Sequence, residues 1–179
     1  MSSQPNLILK TLNIVSWILF LGLCIKAGTL IFTLSFSLFI NPIAAEVLYS
    51  GLDLSQLMAY DKWHYMSMVF LIIINWGLKA YLFYWIVKIF TIAKVLSPFT
   101  TEVKKLIVSI GFVALNIGVV SILSSAFNQW LTHKGIVLTN LWEYTNGGAE
   151  FLLTAAIVLT IAQVFKRGIA IESLNKLTI

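Results

Sequence analysis

Four apolar runs leave this chain few folds to choose from. They extend over about 12–40, 64–90, 106–130 and 148–165. A helix needs ~20 predominantly apolar residues to cross the hydrocarbon of a bilayer. In lipid a backbone must satisfy its own polar groups, which only helices and closed barrels do. The runs show no period-two alternation of apolar and polar residues, so helices are expected and a barrel is not. The first two are longer than the minimum and must tilt or protrude. Composition excludes the soluble alternative: 59% of the 179 residues are hydrophobic and 11% are charged, where a soluble domain carries roughly 25% charged residues. The expected fold class is an all-α membrane protein, a bundle of four transmembrane helices with both termini cytoplasmic. It forms a single domain over 1–179.

The first run has one competing reading. Lys10 could serve as the basic start of a signal peptide, with Ala44-Ala45 as a weak cleavage site. The apolar stretch is about twice the usual length for such a segment, and Lys26 interrupts it. An uncleaved first helix is expected.

Basic residues set the expected orientation. One set of segments holds Lys10, Lys88, Lys94, Lys104, Lys105, Lys166, Arg167 and Lys176. The other holds Lys62 and Lys134 beside Glu46, Asp53, Asp61 and Glu143. Lysine and arginine accumulate on the cytoplasmic side, so the 91–105 loop and the 166–179 tail are assigned there and the 41–63 loop outside. The net charge of +5 is thereby a topology signal, and no direct nucleic-acid binding is expected. Trp63, Trp130 and Trp142 fall near the outer interface. Asn41-Pro42 ends the first helix, because proline disfavours helical geometry in the residue before it. Asp53 or Ser55 can cap a helical stretch leading to the second span, and Thr100 or Thr101 can cap the third. Glu102 then lies in the first turn, where the helix dipole favours an acid.

Polar residues inside the runs are the candidate site. Gly22, Lys26, Thr29 and Thr33 share one face of the first helix. Asn75 and Lys79 are one turn apart on the second, and Ser109, Asn116 and Ser124 form a stripe on the third. Gly111, Gly118 and Ser125 are small residues at every seventh position, which suits close helix approach. Glu150 and Thr154 are a turn apart on the fourth. A charge at the bilayer centre costs ~3 kcal/mol or more, so Lys26 and Lys79 need a reason. One reading is structural: Lys26 pairs with Glu150, and Lys79 with carbonyls or Asn116. The other is an interior polar pocket of Lys26, Lys79, Glu150, Asn75, Asn116 and Thr29 that holds an anionic ligand or lipid, or moves a proton. Cys24 stands alone, and His64 and His133 have no ligand spacing around them. No metal, cofactor or catalytic constellation is expected.

Two stretches look familiar. "SPFTTEVKKL" at 97–106 resembles an "NPFT…N-x-K-R-L" element, and "AQVFKRGIAIESLNKLTI" at 162–179 resembles "VF-[RK]-R-G…L-x-x-[DN]-x-LTI/V". In this order and spacing they resemble the bacterial four-span family catalogued as domain of unknown function 2975. Ser97 replaces the asparagine, and Glu102-Val103 stands where a polar pair is usual. The resemblance implies a multi-pass protein of the bacterial cytoplasmic membrane, without assigned activity, that accompanies a small cytoplasmic helix-turn-helix regulator. Phe99, Lys105, Phe165 and Arg167 are then candidates for a docking surface. The bilayer is the remaining partner, with a homo-oligomer open. The leading functional expectation is a non-enzymatic sensor or regulatory partner, and the alternative is a small transport or ligand-binding protein using Lys26, Lys79 and Glu150.

Overall fold

The computed structural model describes residues 4–46, 51–93, 100–138 and 140–177. Phe99 lies outside them. Every regular element among the described residues is helical: α1 (Gln4–Phe39), a 3-10 turn (Pro42–Ala45), α2 (Ser55–Tyr60), α3 (Lys62–Ala93), α4 (Thr101–His133), α5 (Trp142–Thr145) and α6 (Gly148–Leu177). Four stretches are long and apolar enough to cross a membrane: Leu9–Phe39, Lys62–Ile92, Thr101–His133 and Trp142–Ile171. The chain is an all-α, multi-pass membrane protein. The first two stretches have 31 residues each. At ~1.5 Å per residue each extends over about 46 Å against ~30 Å of hydrocarbon, so tilt or protruding ends are required.

Helices pack in chain order, α1 on α3, α3 on α4 and α4 on α6. Among the described residues no α1–α6 pairing of comparable extent closes the row. Burial follows: half of the apolar window of α4 is buried inside the protein, against 11% for the windows of α1 and of α6. The two outer helices therefore leave most of their apolar surface uncovered by the rest of the chain.

The α4–α6 seam is built on absent side chains. A Cβ on Gly111 would stand 2.6 Å from Leu159 Cδ2, and one on Gly118 would stand 2.7 Å from Leu152 Cδ2 and 3.1 Å from the Gly148 carbonyl oxygen. Ser125, next in the seven-residue series, donates to the Thr145 carbonyl at 3.2 Å. The small-residue stripe does what its spacing predicts. Other pairings use buried hydrogen bonds. Asn75 Nδ2 donates to Ser121 Oγ at 2.7 Å between α3 and α4. The Ser37 and Tyr65 hydroxyls meet at 2.6 Å between α1 and α3.

The loops at one end fold onto the helices. Leu52, Leu54 and Leu57 join Tyr65, Met68 and Ile72 of α3, Leu131 of α4, and Ile136, Leu141 and Tyr144 in one buried cluster. Asp53 Oδ1 accepts from the Ser55 amide at 2.8 Å ahead of α2, but the cap position is Leu54, which makes no side-chain capping bond, so neither Asp53 nor Ser55 is the cap the sequence suggested. Asn140 reaches across to the Gly51 carbonyl at 3.1 Å and ties the two loops together. A second cluster, with Leu82, Val113, Ile117 and Ala155, lies further along the helices. At the opposite end Thr100 Oγ1 accepts from the Val103 amide at 3.3 Å, with Glu102 in the first turn of α4.

Asp61 anchors the start of α3. Its Oδ1 accepts from the Trp63 amide at 3.0 Å, and its Oδ2 meets His64 Nδ1. The His64 ring stacks on Trp130 at 5.3 Å between centroids. The Trp63 amide, chiefly, and the His64 ring hold the Asp61 carboxyl below its usual range. A depressed carboxyl stabilises the fold above its ordinary pKa, and that contribution is lost as pH falls through the lowered value.

Two outcomes are expected in detergent. Gly118→Ala should cost about 1–3 kcal/mol and more than Gly111→Ala, because Gly118 faces a backbone oxygen whereas the Leu159 side chain can move. Equal melting temperatures for the two variants would show that the seam yields as readily at both sites. Asp61→Ala should melt lower than wild type at pH 7, and the gap should narrow below about pH 4. A gap that stays constant as the pH is lowered until both proteins unfold would mean the carboxylate is not its source.

Candidate functional site

Where the two buried clusters meet, α3 presents Trp76 and Lys79, one turn apart. Lys26 of α1 arrives at the same ring. Its Nζ stands 3.8 Å from the Trp76 ring centroid, and Lys79 Nζ stands 4.5 Å from it. The two ammonium groups are separated by no more than the sum of those distances. Tyr144 of α5 lies 5.0 Å from Lys26 Nζ, and Phe151 of α6 lies 5.6 Å from Lys79 Nζ. Trp76 and Tyr144 meet edge to face at 6.2 Å. The site is a small aromatic cage around two cations, assembled from α1, α3, α5 and α6.

Its depth follows from position. The apolar stretch of α3 is centred near residue 77 and that of α1 near residue 24. Both lysines therefore sit near the middle of their spans. A cation over a tryptophan face gains ~0.5–2 kcal/mol, most when desolvated, which offsets part of the cost of a charge in hydrocarbon. Two like charges no more than about 8 Å apart repel by at least ~2 kcal/mol at an effective dielectric near 20. The ring accounts for each ammonium singly and does not neutralise the pair.

Acids are scarce around the cage. Glu143 of α5 is the acid that acts electrostatically on Lys26. Among the described residues no carboxylate reaches Lys79 within ion-pair distance, and the charge acting on it is that of Lys26. Trp76 Nε1 is buried with no hydrogen-bond partner. The cage therefore combines an excess of positive charge with an unused donor.

The expected site residues divide. Lys26 and Lys79 are brought together. Asn75 is fully buried beside them in sequence, but its amide nitrogen is used on Ser121 and its Oδ1 has no partner. Thr29 donates to the Ile25 carbonyl of its own helix at 2.9 Å, and Asn116 is exposed and donates to the Phe112 carbonyl at 2.8 Å. Glu150 does not pair with Lys26. It is exposed in the first turn of α6, lining a depression with Gln129 and Trp142. At the other end Lys105 and Arg167 are exposed and Phe165 is half-buried. Sequence reasoning missed Trp76, Tyr144, Phe151 and Glu143. Trp76 carried a signal, since tryptophan favours membrane interfaces and this one stands mid-span, three residues before a lysine.

Thermal unfolding in detergent should separate these roles. Trp76→Leu should cost about 2 kcal/mol, because it removes the ring that both ammonium groups share. Glu143→Leu should cost about 1 kcal/mol, and Glu150→Leu less than ~0.5 kcal/mol. Equal losses for the two glutamates would remove Glu143 as the specific counter-charge of Lys26.

No protein-family profile, curated protein or solved structure matches this chain.

Proposed function

We propose that this is a non-enzymatic protein of the bacterial cytoplasmic membrane that binds an anion at mid-depth between Lys26 and Lys79. The observation that carries the reading is the convergence of two ammonium groups on one tryptophan ring, with Glu143 as the acid acting on Lys26 and, among the described residues, no carboxylate within ion-pair distance of Lys79. An anion beside Trp76 relieves the repulsion and offers an acceptor for its N–H. Intramembrane charges of this kind mark ligand or ion sites more often than packing contacts. The basic end, with Lys10, Lys88, Lys104, Lys105, Lys166 and Arg167, is cytoplasmic in this reading, which places both termini there.

Binding at the cage is the input of a sensor, and its output is a small helix-turn-helix regulator docked at the cytoplasmic end. That part of the proposal rests on the motif resemblance, with Lys105 and Arg167 exposed there for contact.

Native mass spectrometry of the full chain, extracted from bacterial membranes in non-ionic detergent, tests the anion. Wild type should retain a low-mass anionic adduct that Lys26→Leu/Lys79→Leu lacks, while Lys62→Leu/Lys134→Leu keeps it. Identical adducts on wild type and on the Lys26/Lys79 variant would overturn the proposal.

A further inference from the structure

A second site lies at the basic end and does not depend on the cage. Trp85 of α3 lines two depressions at once. One, of about 660 Å³, lies between α3 and the start of α4 and carries Lys88, Lys104 and Lys105 against a single acid, Glu102. The other, of about 800 Å³, is an apolar groove between α1 and α3 walled by Gly28, Gly77, Ala80 and Tyr81. Between them stands an aromatic stack. Tyr81 and Tyr84 lie parallel at 6.1 Å, and Trp85 meets each edge-on at 5.6 Å. Lys88 Nζ rests 5.0 Å over the Trp85 ring. Trp85 Nε1 is buried without an acceptor.

We infer that these depressions form one binding site for an anionic phospholipid, its phosphate among Lys88, Lys104 and Lys105 and an acyl chain in the α1–α3 groove. Charge complementarity selects the headgroup, since three lysines and one glutamate leave two positive charges uncompensated at a membrane interface. Juxtamembrane lysines attract anionic lipid in this way. The unused Trp85 donor adds a specific demand for an oxygen acceptor, because a buried unpaired donor costs about 1–3 kcal/mol. Geometry selects a whole lipid over a free phosphate. Gly77 lies 11 residues from Lys88, which on a helix is about 16 Å, or half of a ~30 Å hydrocarbon core. The groove therefore reaches from the headgroup level to the mid-plane, as one acyl chain does. Its floor is open by design of the sequence: nothing but their own helix backbone lies within 4 Å of a Cβ built on Gly28 or Gly77.

The test is native mass spectrometry of the full chain in non-ionic detergent, titrated with phosphatidylglycerol, with phosphatidylcholine of the same chains, and with glycerol 3-phosphate. Wild type should bind phosphatidylglycerol about tenfold tighter than phosphatidylcholine, and Lys88→Gln/Lys105→Gln should abolish that preference. Trp85→Phe, which keeps a ring and removes the donor, should weaken phosphatidylglycerol binding several-fold. Gly77→Ala and Gly77→Leu place a growing side chain in the groove, where a Cβ meets nothing within 4 Å, and Gly77→Leu should weaken binding of both lipids while keeping the wild-type melting temperature. Three results would each overturn the assignment: a preference lost equally in Lys166→Gln/Arg167→Gln, which would mean diffuse surface charge; unchanged binding in Gly77→Leu, which would leave the groove unused; or glycerol 3-phosphate binding as tightly as the lipid, which would leave no role for the chain.

Discussion

Apolar surface gains little by leaving lipid for another helix, and that constraint shapes every contact in this protein. Association has to come from close packing and from hydrogen bonds made away from water. The α4–α6 seam supplies the first, where Gly111 and Gly118 let Leu159 and Leu152 seat against bare backbone. Asn75 with Ser121, Ser37 with Tyr65, and Ser125 with Thr145 supply the second. Each successive helix pair has one of these devices. Lacking a comparable seam with α6, α1 stays at the edge of the row and is left largely to lipid.

The same constraint raises the cost of the two lysines. A hydroxyl in a membrane helix can turn back onto its own carbonyls, as Thr29, Thr33 and Ser35 do. An ammonium group gains no such refuge from its own helix carbonyls and must find another partner, which for Lys79 is a ring one turn back on α3 and for Lys26 the same ring across the α1–α3 contact. Here the partner is an aromatic face shared between two cations. The arrangement places the most expensive groups of the chain at the junction of its two buried clusters, where α1, α3, α5 and α6 all contribute. In the proposed anion site, a bound anion and a stable helix arrangement would be linked, since the anion would complete the electrostatics of the two lysines.

Both proposed sites join lysine to tryptophan on α3, at Trp76–Lys79 and at Trp85–Lys88, each with a spacing of three residues. That spacing lays the lysine stem along the preceding turn and brings its head over the ring. At mid-span the ring compensates for missing water. At the end of the helix it stands where aromatic side chains bridge apolar and polar surroundings. One local motif thus meets two demands, and depth decides which.

Sequence alone determined the class and much of the local structure. Length and apolarity fixed four spanning helices. Thr100 and Glu102 marked the start of α4, Asp53 stood one residue ahead of the Leu54 cap of α2, and the seven-residue spacing of Gly111, Gly118 and Ser125 marked a close seam. These features depend on neighbours along one helix, so periodicity reveals them. Periodicity also singled out Lys26 and Lys79 as costly, but it named Glu150, Asn116 and Thr29 as companions where Trp76, Tyr144, Phe151 and Glu143 stand. The reason is physical. A helix that is apolar nearly all round has no directional face to announce its partner, and its scattered hydroxyls are satisfied within the helix. Which faces meet was decided by the order of packing, α1 on α3 and α4 on α6, and by the α4–α6 connection that lodges Tyr144 against Trp76. Only the tertiary structure contains that choice, because it is made between elements far apart in the chain.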